Sequence, residues 1–94
     1  MIFSMLLMDR ADTAKLRAEH REAHVAFLGK LSNRVLFGGP LKSDDGSVTL
    51  GSLLIADFPD RDAANAWIKE DPYVKHGVYK KPVIHAFVNM WQKK

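Results

Sequence analysis

At 94 residues the chain is long enough for one domain, near the lower end of what sustains its own core. Its 47% apolar content excludes a disordered chain, and at this length part of that apolar surface needs a second copy to cover it. The net charge of +3 comes from scattered lysines and arginines, Lys93 and Lys94 among them, with no basic stripe between aromatics, so nucleic acid is not an expected partner; the absence of cysteine removes disulfides, thiolate metal sites and thiol nucleophiles.

The first segment, "IFSMLLM" from Ile2 to Met8, is a short apolar run ending at Asp9 and is predicted to be a strand. It lacks the basic flank of a secretion signal, its apolar run is only about seven residues long, and no stretch is long enough to span a bilayer. A cytoplasmic location without membrane contact is therefore expected. "RADTAKLRAEHREAHVAFLGKLSN" then takes a helical period, with Asp12 or Thr13 as N-cap and Asn33 at its end. "RVLFGGPLK" reads as a second strand closed by Gly38, Gly39 and Pro40, "SDDGS" as a turn, and "VTLGSLLIADF" as a third strand. "PDRDAANAWIKED" is a second helix stopped by Pro72, which lacks the N–H the next turn needs. "KPVIHAFVNMW" is a fourth strand.

The order β-α-β-β-α-β over a single domain, 1–94, predicts an α+β, ferredoxin-like fold with two helices on one face of a four-stranded antiparallel sheet. The strands are apolar on both sides. Ile2, Leu6 and Met8 alternate with Phe3, Met5 and Leu7, and in the last strand Phe87 and Trp91 alternate with Ile84, Val88 and Met90. Two helices cover one face only, and an exposed second face should carry polar residues. A homodimer packed sheet to sheet is the expected remedy.

The first helix carries two histidines. On a wheel of about 100° per residue, Leu16, Ala23, Phe27 and Leu31 form the apolar stripe, His20 and His24 fall inside it, and Glu22 falls opposite. A zincin helix reads H-E-x-x-H, with the glutamate directly after the first histidine. Here the run is His20-Arg21-Glu22-Ala23-His24, so Glu22 cannot act at a metal held by these rings. A two-histidine metal site would still need a third ligand such as His76, His85 or Asp71; the plainer alternative is two neutral imidazoles at a helix–sheet seam. Arg17, a heptad before His24, and Arg21 at the same edge favour a positively lined pocket beside His24 over packing alone.

Asp71 continues the apolar stripe of the second helix beyond Ala63, Ala64, Trp67 and Ile68. A carboxylate there is either a helix-stop group bonded locally or the partner of His24. In the second case it orients a general base. Ser4 and Ser52 can place hydroxyls in a cleft, Tyr73 and Tyr79 can line a pocket or close the core, and "FGGP" lacks the spacing of a phosphate loop. His85 belongs to the sheet; Trp67 and Trp91 read as packing residues.

Taken in order, the "R..H" of the first helix, "GGPL", "GSLLIADF", "AANAWIKEDPYV" and "GVY" make the chain resemble the YciI-like (YCII-related) family over almost its whole length. The resemblance implies a ferredoxin-like fold that dimerises through its sheets into an α/β barrel. It also implies a pocket with a catalytic histidine–aspartate pair, falling on His24 and Asp71, with Arg17 and Arg21 at basic positions ahead of the histidine. His20 is outside the pattern and is expected to be packing or pocket lining. The family's basic residue and proline near the C-terminus are replaced by His85-Ala86-Phe87.

Two functions follow. In the first, a cofactor-independent lyase or isomerase uses His24 to move a proton on a small oxygenated or aromatic anion. Asp71 orients the imidazole, and Arg17, Arg21, Ser52 and Tyr73 hold the substrate. In the second, a non-catalytic dimer uses the same pocket to bind a small ligand or a protein partner. Neither calls for a metal or cofactor.

Overall fold

A computed structural model describes residues 1–30 and 34–91. The alternation in the first segment becomes β1 (Ile2–Met8), which buries Phe3, Met5 and Leu7 and turns Ile2, Ser4, Leu6 and Met8 to the opposite face. The other elements in chain order are α1 (Ala14–Gly29), β2 (Val35–Lys42), β3 (Thr49–Asp57), α2 (Arg61–Ile68), α3 (Pro72–Lys75) and β4 (Val83–Ala86).

The sheet order is β2-β3-β1-β4, with every neighbouring pair antiparallel. This is the ferredoxin-like arrangement expected from the element order. Its centre is β1, paired with β3 from Ile2↔Asp57 to Met8↔Gly51 and with β4 from Phe3↔Ala86 to Leu6↔Val83. Partnered residues share a face, so Phe3, Met5, Leu54 and Ala56 meet Phe58, Ala64, Ile68, Tyr73 and Val78 in one core. Each large apolar side chain buried there contributes about 1.5–3 kcal/mol. Among the described residues no helix is long and apolar enough to cross a membrane.

The structure departs from several local expectations. The fourth strand spans four residues, because after Phe87 N–H donates to Ile2 O at 2.8 Å the chain has run past the start of β1. Val88, Met90 and Trp91 are therefore exposed, and Trp91 is not a packing residue within one chain. Gly38, Gly39 and Pro40 do not close β2; they lie inside it, opposite Leu54, Leu53 and Ser52. As the edge strand, β2 tolerates a proline that cannot donate outward, and a Cβ on Gly38 would sit 2.5 Å from Leu54 Cδ2.

Pro72 does end the second helix's pattern, yet it opens α3 at that helix's first turn. Proline suits the position, since the first N–H of a helix has no partner inside it. At the start of α1 neither Asp12 nor Thr13 makes a side-chain cap: Asp12 takes φ 60°, and Thr13 Oγ1 donates back to Arg10 O at 3.0 Å. The helix end expected at Asn33 and the stripe position Leu31 lie outside the described residues.

Candidate active site

The inward line of α1 runs through Leu16, Arg17, His20, His24, Phe27 and Leu28, at steps of one to four residues. Ala23, expected in the apolar stripe, is exposed, as is Glu22. His24 is the one buried residue of the helix. A face that points inward but carries an arginine and two imidazoles needs polar partners, because unpaired polar groups are costly to bury. Arg17 and His24 each find one.

His24 Nδ1 lies 2.8 Å from Asp71 Oδ1. Asp71 is wholly buried as the N-cap of α3, where Oδ1 also accepts the Tyr73 N–H at 2.9 Å. A carboxylate accepts and does not donate, so Nδ1 is the donor of this bond and Nε2 is the ring nitrogen left without a protein partner. The Tyr73 ring stacks on the imidazole at 3.8 Å and 10°, and its hydroxyl donates to Arg17 O at 3.1 Å. α3 thus fixes the imidazole by an acceptor on one edge and an aromatic plane on one face. Asp71 does not ride at the end of α2 as the wheel suggested. The chain turns after Ile68, and the start of a new helix aims the carboxylate.

Arg17 is clamped by Asp9, with Nε donating to Oδ2 at 2.7 Å and Nη2 to Oδ1 at 2.8 Å. The guanidinium also lies over the Tyr73 and Tyr79 rings, at 5.0 and 5.6 Å. The hydrogen bond to Asp9 raises its pKa above the usual value against the opposing effect of burial. Two of its donors are engaged by Asp9, and Nη1 is left over. Ser52, opposite Leu7 in the sheet, is 3.1 Å from the Tyr79 hydroxyl. Burial pushes the Tyr79 phenol up to about 12, partly offset by its bond to Ser52.

His24, Arg17, Arg21, Ser52 and Tyr73 line one pocket of about 490 Å³ between α1 and the β2–β3 end of the sheet. Gly38, Gly39 and Pro40 form part of its opposite wall, where the missing side chains leave room. Its size fits a small metabolite. All six residues singled out in the sequence are brought to this place, five on the wall and Asp71 directly behind His24.

His20 is not part of it. Its ring stacks on His76 at 3.7 Å and 3°, joining α1 to the end of α3. Among the described residues no three histidine or carboxylate side chains converge as a metal site would require. His85 sits in β4, exposed on the face away from the helices. Trp67 packs on Phe27 and Phe58, as expected.

Two contributors escaped the sequence reading. Asp9 was seen only as the end of a strand; the signal was a carboxylate one step beyond the buried alternation Phe3, Met5, Leu7. Tyr79 reads in the sequence as either pocket or core, and nothing local ties it to Ser52, twenty-seven residues earlier.

Fold and site together define a small α+β protein of the ferredoxin-like type with a largely apolar pocket, carrying a few polar groups, under its first helix. The chain belongs to the YCII family: the model of the YCII-related domain matches residues 1–88. Protein YciI of Escherichia coli O6:H1 is 36% identical, with 93% of this chain and 96% of that protein covered, and an uncharacterized protein of Haemophilus influenzae is 35% identical over the same shares. Among solved structures, 5-chloro-2-hydroxyhydroquinone dehydrochlorinase (TftG) from Burkholderia phenoliruptrix AC1100, in complex with 2,5-dihydroxybenzoquinone, superposes with TM-score 0.85 at 25% identity over 94% of each chain. SnoaB, a cofactor-independent oxygenase from Streptomyces nogalater, shares the fold alone, with TM-score 0.52 and 11% identity over 97% of this chain and 93% of that one.

Proposed function

We propose that the chain is a cytoplasmic, homodimeric, cofactor-independent enzyme of the lyase or isomerase kind, with His24 as its general base. The observation that carries this reading is the 2.8 Å contact from His24 Nδ1 to the fully buried Asp71, which leaves Nε2 as the free basic atom beside a pocket lined by two arginines. An imidazole oriented through one nitrogen by a buried carboxylate, with the other unpaired, is the arrangement general-base chemistry requires.

The substrate is a small oxygenated anion, in the same class as the hydroxyquinone held by TftG. His24 Nε2 removes a proton from a carbon or hydroxyl next to an oxygenated carbon. The electron pair moves toward the neighbouring oxygen, where the Arg17 and Arg21 cations favour negative charge. Asp71 stabilises the imidazolium until the proton is returned elsewhere, which completes an isomerisation, or a leaving anion departs, which completes an elimination. Tyr73 holds the imidazole plane.

The sheet-to-sheet dimer rests on the unpartnered face. Phe37 and Val83 on the sheet, and Val88, Met90 and Trp91 beyond β4, are exposed apolar groups within one chain.

The test is Asp71→Asn, which keeps an acceptor for Tyr73 N–H and removes the charge. Chloride release from 5-chloro-2-hydroxyhydroquinone and solvent-deuterium uptake into hydroxylated aromatic acids are followed, together with binding of 2,5-dihydroxybenzoquinone. Turnover should fall by about a hundredfold or more, while the quinone still binds. Equal turnover in the variant removes His24–Asp71 as the catalytic pair. Binding without turnover in the unaltered protein selects the non-catalytic ligand-binding function instead.

A further inference from the structure

We propose that Tyr79 is a positioning residue: its buried phenol donates to Ser52 Oγ and so turns the Ser52 hydroxyl proton into the pocket, making Ser52 the donor to the substrate oxygen that gains charge. The proposal rests on the His24–Asp71 reading for what the pocket binds, and adds a residue that does not itself line it.

The buried Tyr79 hydroxyl has a proton to place. Tyr79 is 6% exposed, and the polar partner its hydroxyl meets among the described residues is Ser52 Oγ at 3.1 Å. A phenol has one proton, and a buried proton without an acceptor is costly. If Ser52 donated to the phenol, that proton would be stranded. If the phenol donates, both lone-pair and proton requirements are met, and the Ser52 proton is free. Ser52 lines the pocket with His24 and Arg17, whereas Tyr79 does not. The free proton therefore has the pocket to point into.

The surroundings hold this arrangement in place. Tyr79 lies opposite Asp9 in an isolated antiparallel bridge beyond the end of β1, and its flanks are fastened to that strand by Lys80 N–H to Met8 O at 2.7 Å and Arg10 N–H to Val78 O at 2.8 Å. The Tyr73 ring meets the Tyr79 ring edge-on at 5.8 Å. The phenol, pushed up to about 12 by its burial, is a donor throughout the physiological range.

The consequence is a narrower substrate class. Beside the Ser52 hydroxyl proton, the pocket wall carries His24, whose Nε2 is the basic atom of the proposed function, and the Arg17 guanidinium. That set suits a compound in which the C–H proton to be taken lies beside a carbonyl oxygen able to accept two hydrogen bonds, such as that of a quinone, ketone or lactone. When His24 takes the proton, the electron pair of the broken C–H bond becomes the new C=C bond. The π pair of the adjacent C=O settles on its oxygen, where Ser52 meets it. No other reactant is needed.

Three variants test this: Ser52→Ala, Tyr79→Phe and the pair together, each with 2,5-dihydroxybenzoquinone as the anionic probe. Tyr79→Phe keeps the ring that packs on Tyr73 and Arg17, so the fold should hold, as checked by melting. Ser52→Ala should weaken binding about tenfold, Tyr79→Phe by a similar factor, and the double variant no more than Ser52→Ala alone, because both remove one hydrogen bond to the probe. Losses that multiply, or unchanged binding in Tyr79→Phe, would overturn the proposal and leave His24–Asp71 untouched. If the unaltered protein does not bind the probe, the anionic-substrate reading fails. The tyrosinate absorbance of the free protein then decides: an upward move of the Tyr79 ionisation in Ser52→Ala retains the coupling, and no move removes it.

Discussion

His24 and Asp71 are 47 residues apart in the chain and 2.8 Å apart in the fold. The contact depends on a single turn. After α2 ends, Asp71 N–H donates to Ile68 O at 3.1 Å, and Pro72 starts a fresh helix, so the carboxylate faces α1. The same oxygen then serves as helix cap and as holder of the imidazole.

That double role separates two substitutions by stability. Asp71→Asn keeps an oxygen for Tyr73 N–H, whereas Asp71→Ala strands both that N–H and His24 Nδ1 in a buried place. Each unsatisfied group costs about 1–3 kcal/mol. Denaturant titration should show Asp71→Ala less stable than Asp71→Asn by about 2 kcal/mol or more. Equal midpoints would mean that the cap bond contributes nothing.

Gly51 of β3 and Gly39 of the pocket wall behave oppositely. A Cβ on Gly51 would fall on the carbonyl oxygen of Leu7, whereas one on Gly39 meets nothing within 4 Å. Gly51→Ala forces β3 away from β1 and should cost about 3 kcal/mol. Gly39→Ala should stay within about 0.5 kcal/mol of the parent. Thermal melts of the two variants check this, and a neutral Gly51→Ala would contradict the close approach of the strands.

The Tyr79 phenol gives an alkaline signature. Its folded-state ionisation, pushed by burial to about 12, lies above the 10.0 of an exposed tyrosine. Below pH 10 both states hold the proton, and the group's contribution to stability does not change with pH. Between 10 and 12 the unfolded chain binds fewer protons than the folded one, so stability falls as pH rises through that window. Tyr79→Phe should remove this part of the fall, leaving a flatter curve of unfolding free energy against pH. Parallel curves would show that the phenol titrates in the folded protein as it does in water.

The uncovered sheet face predicts an oligomer. Val83 is 44% exposed and lies beside Leu6 on the side away from the helices. Sedimentation at micromolar concentration should give a dimer, and Val83→Lys should give a monomer of unchanged helical content. A monomeric parent protein would contradict the face-to-face packing.

The period-two apolar run at Ile2–Met8, the helical period around His24 and the turn residues at Asp44–Ser47 are local properties of the chain. They determined the element order, and with it the sheet order β2-β3-β1-β4, because a βαββαβ chain has few sterically allowed ways to cover a sheet. The wheel also placed Glu22 outside and His24 inside, which separated the "HREAH" run from a zinc helix. Its apolar stripe was misjudged by one column. Ala23 is exposed because the inward column is occupied by Arg17 and His24, site residues that no hydrophobic count would assign to a buried face. The short last strand was hidden for another reason: Val88, Met90 and Trp91 look like strand residues by composition, but a strand also needs a partner, and β1 has already begun.

What only the tertiary structure decided is which group stands behind which. His24 backed by Asp71, Arg17 by Asp9 and Ser52 by Tyr79 are pairs separated by 47, 8 and 27 residues. No spacing rule links them, because each is set by strand register and helix placement rather than by the pitch of one element. The residue types pointed to a pocket that carries polar groups. Which nitrogen, guanidinium donor and hydroxyl remain free to act inside it followed from the partners that occupy the rest.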